Sequence, residues 1–119
     1  MTTYYKVLKN GRSFHGGSLV WSLPQFDHAT KRWHPGNWHE VQGGARMCKT
    51  GLHITERPDA WSADGASVYE VETDGPVEAD VDGMKAVVRR CRLVREVSFA
   101  DYAASRGVKV LRITPPAVA

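Results

Sequence analysis

Five histidines and two cysteines are the side chains of this 119-residue sequence best suited to chemistry. His34 and His39 stand five apart, as do Cys48 and His53, and together they offer the four nitrogen and sulfur ligands that tetrahedral zinc takes. The second pair lacks the short knuckle that usually holds thiolate and imidazole on one ion. The spacing therefore favours a small buried Cys48 and a hydrogen-bonded His53, and no metal is expected. Cys48 with His53, His39 or His15 would make a nucleophilic pair only with a third, orienting group, and none is identifiable around Cys48. Gly16-Gly17 and Gly43-Gly44 lack the Lys-Ser/Thr or third glycine of a phosphate-binding loop, so they read as turns.

Cations and aromatics give a second constellation. Lys85, Arg89, Arg90, Arg92 and Arg95 follow one another with no acidic residue among them, and residues 31–39 interleave Lys31, Arg32, His34 and His39 with Trp33 and Trp38. Such a mixture can hold a nucleic-acid strand by neutralising phosphates and stacking bases. Lys85, Arg89, Arg90, Arg92, Trp33 and Trp38 are thus the candidate contacts for a nucleic acid or nucleotide. Against this, tryptophans are usually packing residues, and Arg89 and Arg90 alternate to opposite faces of a strand.

Charge is uneven along the chain. Residues 1–55 hold seven basic and two acidic side chains, 56–82 hold one and nine, and 83–119 hold eight and two. The favoured expectation is that folding interleaves these blocks so that each satisfies the other; an exposed basic face is the alternative. The length suits a single domain, 1–119, and a hydrophobic content of 42% with four tryptophans argues against disorder. Two cysteines do not make a disulfide framework, so both are read as thiols in a reducing cytoplasm. Neither a leader nor a bilayer-length apolar run is visible, and no membrane partner is expected.

The elements that must position these residues are mostly short strands. Tyr4–Lys9 is rich in strand formers and runs into Asn10-Gly11, the strongest two-residue hairpin signal, with Arg12–His15 as the return arm. Residues 23–36 show neither period and predict a long loop. Trp38–Val41 and Gly51–Thr55 predict strands, and Pro58 suits the first turn of a short helix over Arg57–Asp64. Ser67–Thr73 alternates strictly, Asp74-Gly75 predicts a turn, Pro76–Val81 a further strand and Asp82-Gly83 another turn. Ala86–Val97 predicts a long strand whose pattern slips near Arg89-Arg90, suggesting a bulge. Ser98 with Asp101 predicts a capped helix carrying Phe99, Tyr102 and Ala103 on its apolar face, and Val108–Ile113 a closing strand. The fold class expected is α+β: a twisted, mainly antiparallel sheet with two short helices.

Two resemblances attach to these elements. With Tyr5-Lys6, Cys48-Lys49-Thr50-Gly51-Leu52-His53, Tyr69-Glu70-Val71-Glu72 and a closing basic strand, the chain resembles a widespread group of small uncharacterised proteins, many of them encoded by bacteriophages. That resemblance implies the cytoplasm of a bacterial host and brings no activity with it. The order Gly51–Thr55, Ala60-Trp61, Val68–Glu72, Gly75–Glu78 and Arg92–Val97 is also similar to the second half of small ADP-ribosyltransferases that modify rifamycins. This similarity implies an ADP-ribosyltransferase-like fold and NAD as cofactor. His15 would stand near the motif that holds the nicotinamide ribose, His53 would take the place of the aromatic beside the nicotinamide, and Glu70 or Glu72 would orient the acceptor. Gly17 replaces the motif's threonine.

The leading expectation is a phage-type accessory protein that acts by binding a host macromolecule, a host protein first, without a cofactor. A reduced NAD-dependent ADP-ribosyltransferase and a nucleic-acid or nucleotide binder are the alternatives.

Overall fold

Asn10 and Gly11 both adopt left-handed backbone angles (φ 53° and 76°), the geometry of the tight turn that matches strand twist. They join β1 (Tyr4–Lys9) to the two-residue β2 (Arg12–Ser13), with Lys9 opposite Arg12. The computed structural model describes residues 2–13, 19–42, 51–61 and 65–105. Beyond β2 come β3 (Gln25–Asp27), β4 (Arg32–His34), β5 (His39–Glu40), β6 (Leu52–Ile54), a 3₁₀ turn at Pro58–Ala60, β7 (Ser67–Ala79), β8 (Ala86–Val97) and helix α1 (Phe99–Ser105).

The long antiparallel hairpin β7–β8 organises the rest. One edge of β7 takes β1, with Tyr5 opposite Glu70 and Lys6 opposite Tyr69. The free edge of β8 takes two short strands end to end: β6 along Ala86–Val88 and β5 along Arg90-Cys91. The sheet curls far enough that Thr55, just past β6, exchanges two backbone hydrogen bonds with Tyr5 of β1 at 2.7 and 2.9 Å. The result is a curled half-barrel of mainly antiparallel strands.

Two faces of this sheet are buried differently. Inside the curl, Leu8, Trp21, Leu52, Ile54, Tyr69, Val71, Ala86, Val88, Cys91 and Leu93 form the main core. On the outer face Tyr5, Val7, Val68 and Val97 pack under Tyr102 of α1, with Trp61 alongside. The alternation expected over Ser67–Thr73 is therefore present, with Tyr69 and Val71 inward and Val68 outward.

Two irregularities decide which side chains face where. Asp74 pairs with Arg90 and Val77 with Val88, so Gly75 and Pro76 together oppose one residue. The turn expected at Asp74-Gly75 is thus a bulge inside a continuous strand, with Gly75 in the left-handed region (φ 97°) and Pro76 lacking the donor a regular ladder would use. The slip expected at Arg89-Arg90 is real, but the extra residue lies on β7. A second irregularity, between Glu70–Arg95 and Val71–Leu93, adds one residue to β8 and turns Val97 to the outer face under α1.

Other expectations change. Residues 23–36 are not a long loop: β3 and β4 form a separate hairpin in which Phe26 faces Trp33. Its four-residue connection is closed by Asp27, whose carboxylate accepts the Ala29 and Thr30 N–H groups while its carbonyl accepts the Lys31 N–H. Lys31 takes the left-handed angle (φ 60°) that a glycine would normally mark, so the usual signal is missing. Of the two short helices expected, α1 is as predicted, with Ser98 Oγ accepting the Asp101 N–H at 3.0 Å. The other is a single 3₁₀ turn opened by Pro58. The strand expected at Val108–Ile113 lies outside the described residues.

Candidate functional site

The outer face of β7–β8 carries the charged residues that stood out in the sequence. Across the two strands Glu70 pairs with Arg95, Glu72 with Arg92, and Asp74 with Arg90; Arg90 also reaches Glu40 at 3.7 Å. Each ion pair follows the strand register, because directly opposed residues share a face. Trp38 lies against this ladder, with the guanidinium carbons of Arg90 and Arg92 at 4.1 and 4.6 Å from its ring centre. The acidic and basic blocks of the sequence thus neutralise one another here, as the favoured expectation had it.

Inside the curl sits a residue that sequence reasoning passed over. Lys6 follows the inward alternation of Tyr4 and Leu8 and is only 8% exposed. Its ammonium donates to the His53 carbonyl at 2.8 Å and lies 5.2 Å from the centre of the Trp21 ring, and among the described residues no carboxylate pairs with it. Burial lowers its pKa from 10.5 to about 8, and the nearby Cys91 works slightly the other way. Burial likewise pushes the Cys91 thiol up to about 12, which leaves it protonated and inert. His39 faces Trp21 (ring centres 4.9 Å apart) and accepts the Ser22 N–H on Nε2 at 3.0 Å; partial burial holds its pKa down. Period two puts Lys6 on one face with Tyr4 and Leu8, but Tyr5 and Val7 make the other face equally apolar, so local alternation does not say which of the two turns into the curl.

A third place is an open groove of about 450 Å³ where the β3–β4 hairpin meets the junction of β8 and α1. Trp33, Phe99 and Glu96 line it together with Ala66, Ser67, Val68, Val97 and Ser98. Trp33 is braced by Phe26, with ring centres 5.3 Å apart at 64°, and Phe99 is 39% exposed. Val68 and Val97 are buried and belong to the outer core. Glu96 is exposed and, among the described residues, makes no ion pair, unlike Glu70, Glu72 and Asp74 further along the same hairpin.

The sequence candidates are distributed as follows. His53 lies on β6 opposite Val87, with Leu52 and Ile54 turned into the core and its own side chain exposed. Burial of its ring, with Lys6 and Lys85 nearby, lowers its pKa. Glu70 and Glu72 are engaged by Arg95 and Arg92, and among the described residues no contact joins them to His53. His15 and Cys48 lie outside the described residues. Of the nucleic-acid candidates, Arg90, Arg92 and Trp38 come together, whereas Arg89 turns its Nε to the Val41 carbonyl and Trp33 belongs to the groove. Lys85 closes the β7–β8 turn through its backbone to Asp80. Among the described residues no group of three metal-ligating side chains converges, and no helix is long and apolar enough to cross a membrane.

A curled antiparallel half-barrel with one docked helix and an aromatic groove at its end is the class of domain these features define. The chain belongs to the family described as Domain of unknown function (DUF7666), whose model matches residues 3–105. No curated protein and no solved structure matches it.

Proposed function

We propose that the protein is a small accessory protein, of the bacteriophage type its sequence resembles, that acts by binding a host protein. The observation that carries this reading is the open groove to which Trp33 and Phe99 contribute beside buried Val68 and Val97, with Phe99 left 39% exposed. Exposed aromatics next to buried core residues are typical of surfaces that anchor a partner, because the rings bring large contact area at little cost in conformational entropy. Leu19, Val20 and Leu23 add further exposed apolar surface.

The test is a comparative capture from bacterial lysate with the native protein, a Trp33→Ala/Phe99→Ala variant and an Arg90→Ala variant, followed by purification of whatever the native protein retains. The reading requires that the purified partner bind directly, that the groove variant lose it and that Arg90→Ala keep it. A partner lost with Arg90→Ala and kept by the groove variant would place recognition on the outer ladder and contradict it.

A further inference from the structure

We infer that the groove recognises a cationic side chain, a lysine or arginine presented by the partner protein, held between the Trp33 and Phe99 rings with its charge against the Glu96 carboxylate. The inference rests on the reading of the protein as a binding module and specifies what that module selects. Four observations lead to it. Trp33 and Phe99 contribute an indole and a phenyl ring to the lining, and guanidinium and ammonium groups are attracted to the faces of such rings by the ring quadrupole. Among the described residues that line it, Glu96 is the one charged side chain.

Glu96 is also exceptional on its own strand. Residues 85–95 are rich in cations that are largely spent on the carboxylates of β7, whereas Glu96, one step beyond, has no ion pair among the described residues. It lies opposite buried Tyr69, whose phenol is pushed up in pKa by burial and, to a lesser degree, by the Glu96 charge. Finally, the indole has a packing partner, since Phe26 stands edge-on against it from the paired strand. Aromatic surface beside a carboxylate that makes no ion pair among the described residues is complementary to the flat, delocalised guanidinium above all, and to the aliphatic stem and charged tip of lysine as well.

The groove is open along its length, which suits an extended segment of chain that lays one side chain into it. An anionic or purely aliphatic side chain would leave Glu96 repelled or unpaired beneath it. The outer ladder uses the same chemistry within the chain: Arg90 and Arg92 lie against Trp38 while their charges meet Asp74 and Glu72.

The experiment is selection of a yeast-displayed random peptide library on the full-length protein, followed by affinity measurement of the enriched peptides on the native protein, Glu96→Gln and Phe99→Ala. Peptides enriched in Arg or Lys at one position, weakened about tenfold or more by Glu96→Gln and by replacing that residue with glutamine, are expected. Peptides that bind through the groove, lost with Phe99→Ala but unchanged by Glu96→Gln and lacking a required cation, would overturn the inference and leave the docking reading standing. Enriched peptides indifferent to both substitutions would overturn the two together. Circular dichroism of each variant confirms that loss of binding is not loss of fold.

Discussion

Lys6 carries a full charge into the inner face of a sheet whose other inward residues are largely apolar, and it does so with one carbonyl and one indole for company. The unfolded chain keeps the Lys6 proton to about 10.5, whereas the folded chain releases it near 8. Between those values the unfolded state binds more protons, so stability rises with pH across that window, and the cost of burying the ammonium is fully present below it. The gap corresponds to about 3 kcal/mol. Lys6→Met is expected to raise stability at neutral pH by about 1–2 kcal/mol, after loss of the His53 and Trp21 contacts, and to abolish the alkaline rise in urea denaturation. A destabilised variant that keeps the rise would show that the cost lies elsewhere. His39 and His53 act in the opposite pH range: both are held neutral in the fold, so stability falls as pH drops through the ordinary histidine value of 6.5 and the unfolded chain takes up their protons. At this scale the sequence was partly legible. Period two sets Lys6 on one face with Tyr4 and Leu8, but that this face is the inner one, and that its described partners are the His53 carbonyl and the Trp21 ring, depends on β6 and Trp21, which no local pattern reveals.

Elements depend on a few positions where backbone meets backbone. Gly36 donates its N–H to Leu93 at 2.9 Å and passes so close to Ser22 that a Cβ would run into the Ser22 carbonyl. Because neither neighbour is a flexible side-chain end, Gly36→Ala is expected to cost about 2–4 kcal/mol in thermal or urea unfolding, while a neutral result would mean the 21–22 segment yields easily. Arg90 ties three elements, meeting Asp74 of β7, Glu40 of β5 and the Trp38 ring. Arg90→Ala should lower stability by about 1–2 kcal/mol, with a part that shrinks in high salt because the pairs are half-exposed. A change near zero would make this arginine available to an outside ligand and revive the nucleic-acid reading. Element by element, legibility followed turn chemistry. Asn10-Gly11, Asp82-Gly83 and Ser98 announced their structures through residues whose conformational preferences are strong. The β3–β4 hairpin went unseen because Lys31 fills the left-handed position and its strands are three residues long, too short for any period. Asp74-Gly75 was misjudged since a glycine beside a proline signals a turn and a bulge alike, and only the continued pairing of Val77 with Val88 separates them.

At the scale of the whole molecule, the proposed binding site falls where elements distant in sequence converge. The groove joins Trp33 of a hairpin to Glu96 and Phe99 at the far end of the chain, a meeting that the curl of the sheet and the added residue in β8 bring about. Sequence reasoning gave Trp33 and Trp38 one role as candidate nucleic-acid contacts, whereas the fold gives the first to the groove and the second to the ion-pair ladder. Charge told the same lesson. The basic run at 85–95 is answered on the outer face by the acidic strand beside it, because antiparallel pairing sets β7 and β8 in register. The resemblance to ADP-ribosyltransferases concerned the order of elements, while its implied residues, His53 on β6 and Glu70 and Glu72 on β7, have separate partners here.

Amide chemical-shift mapping with a peptide or partner captured by the native protein tests the central claim most directly. The account predicts that shifts cluster at Trp33, Ala66–Val68 and Glu96–Phe99 and leave Trp38, Arg90 and Arg92 in place; shifts centred on those three instead, with the groove unchanged, would contradict it.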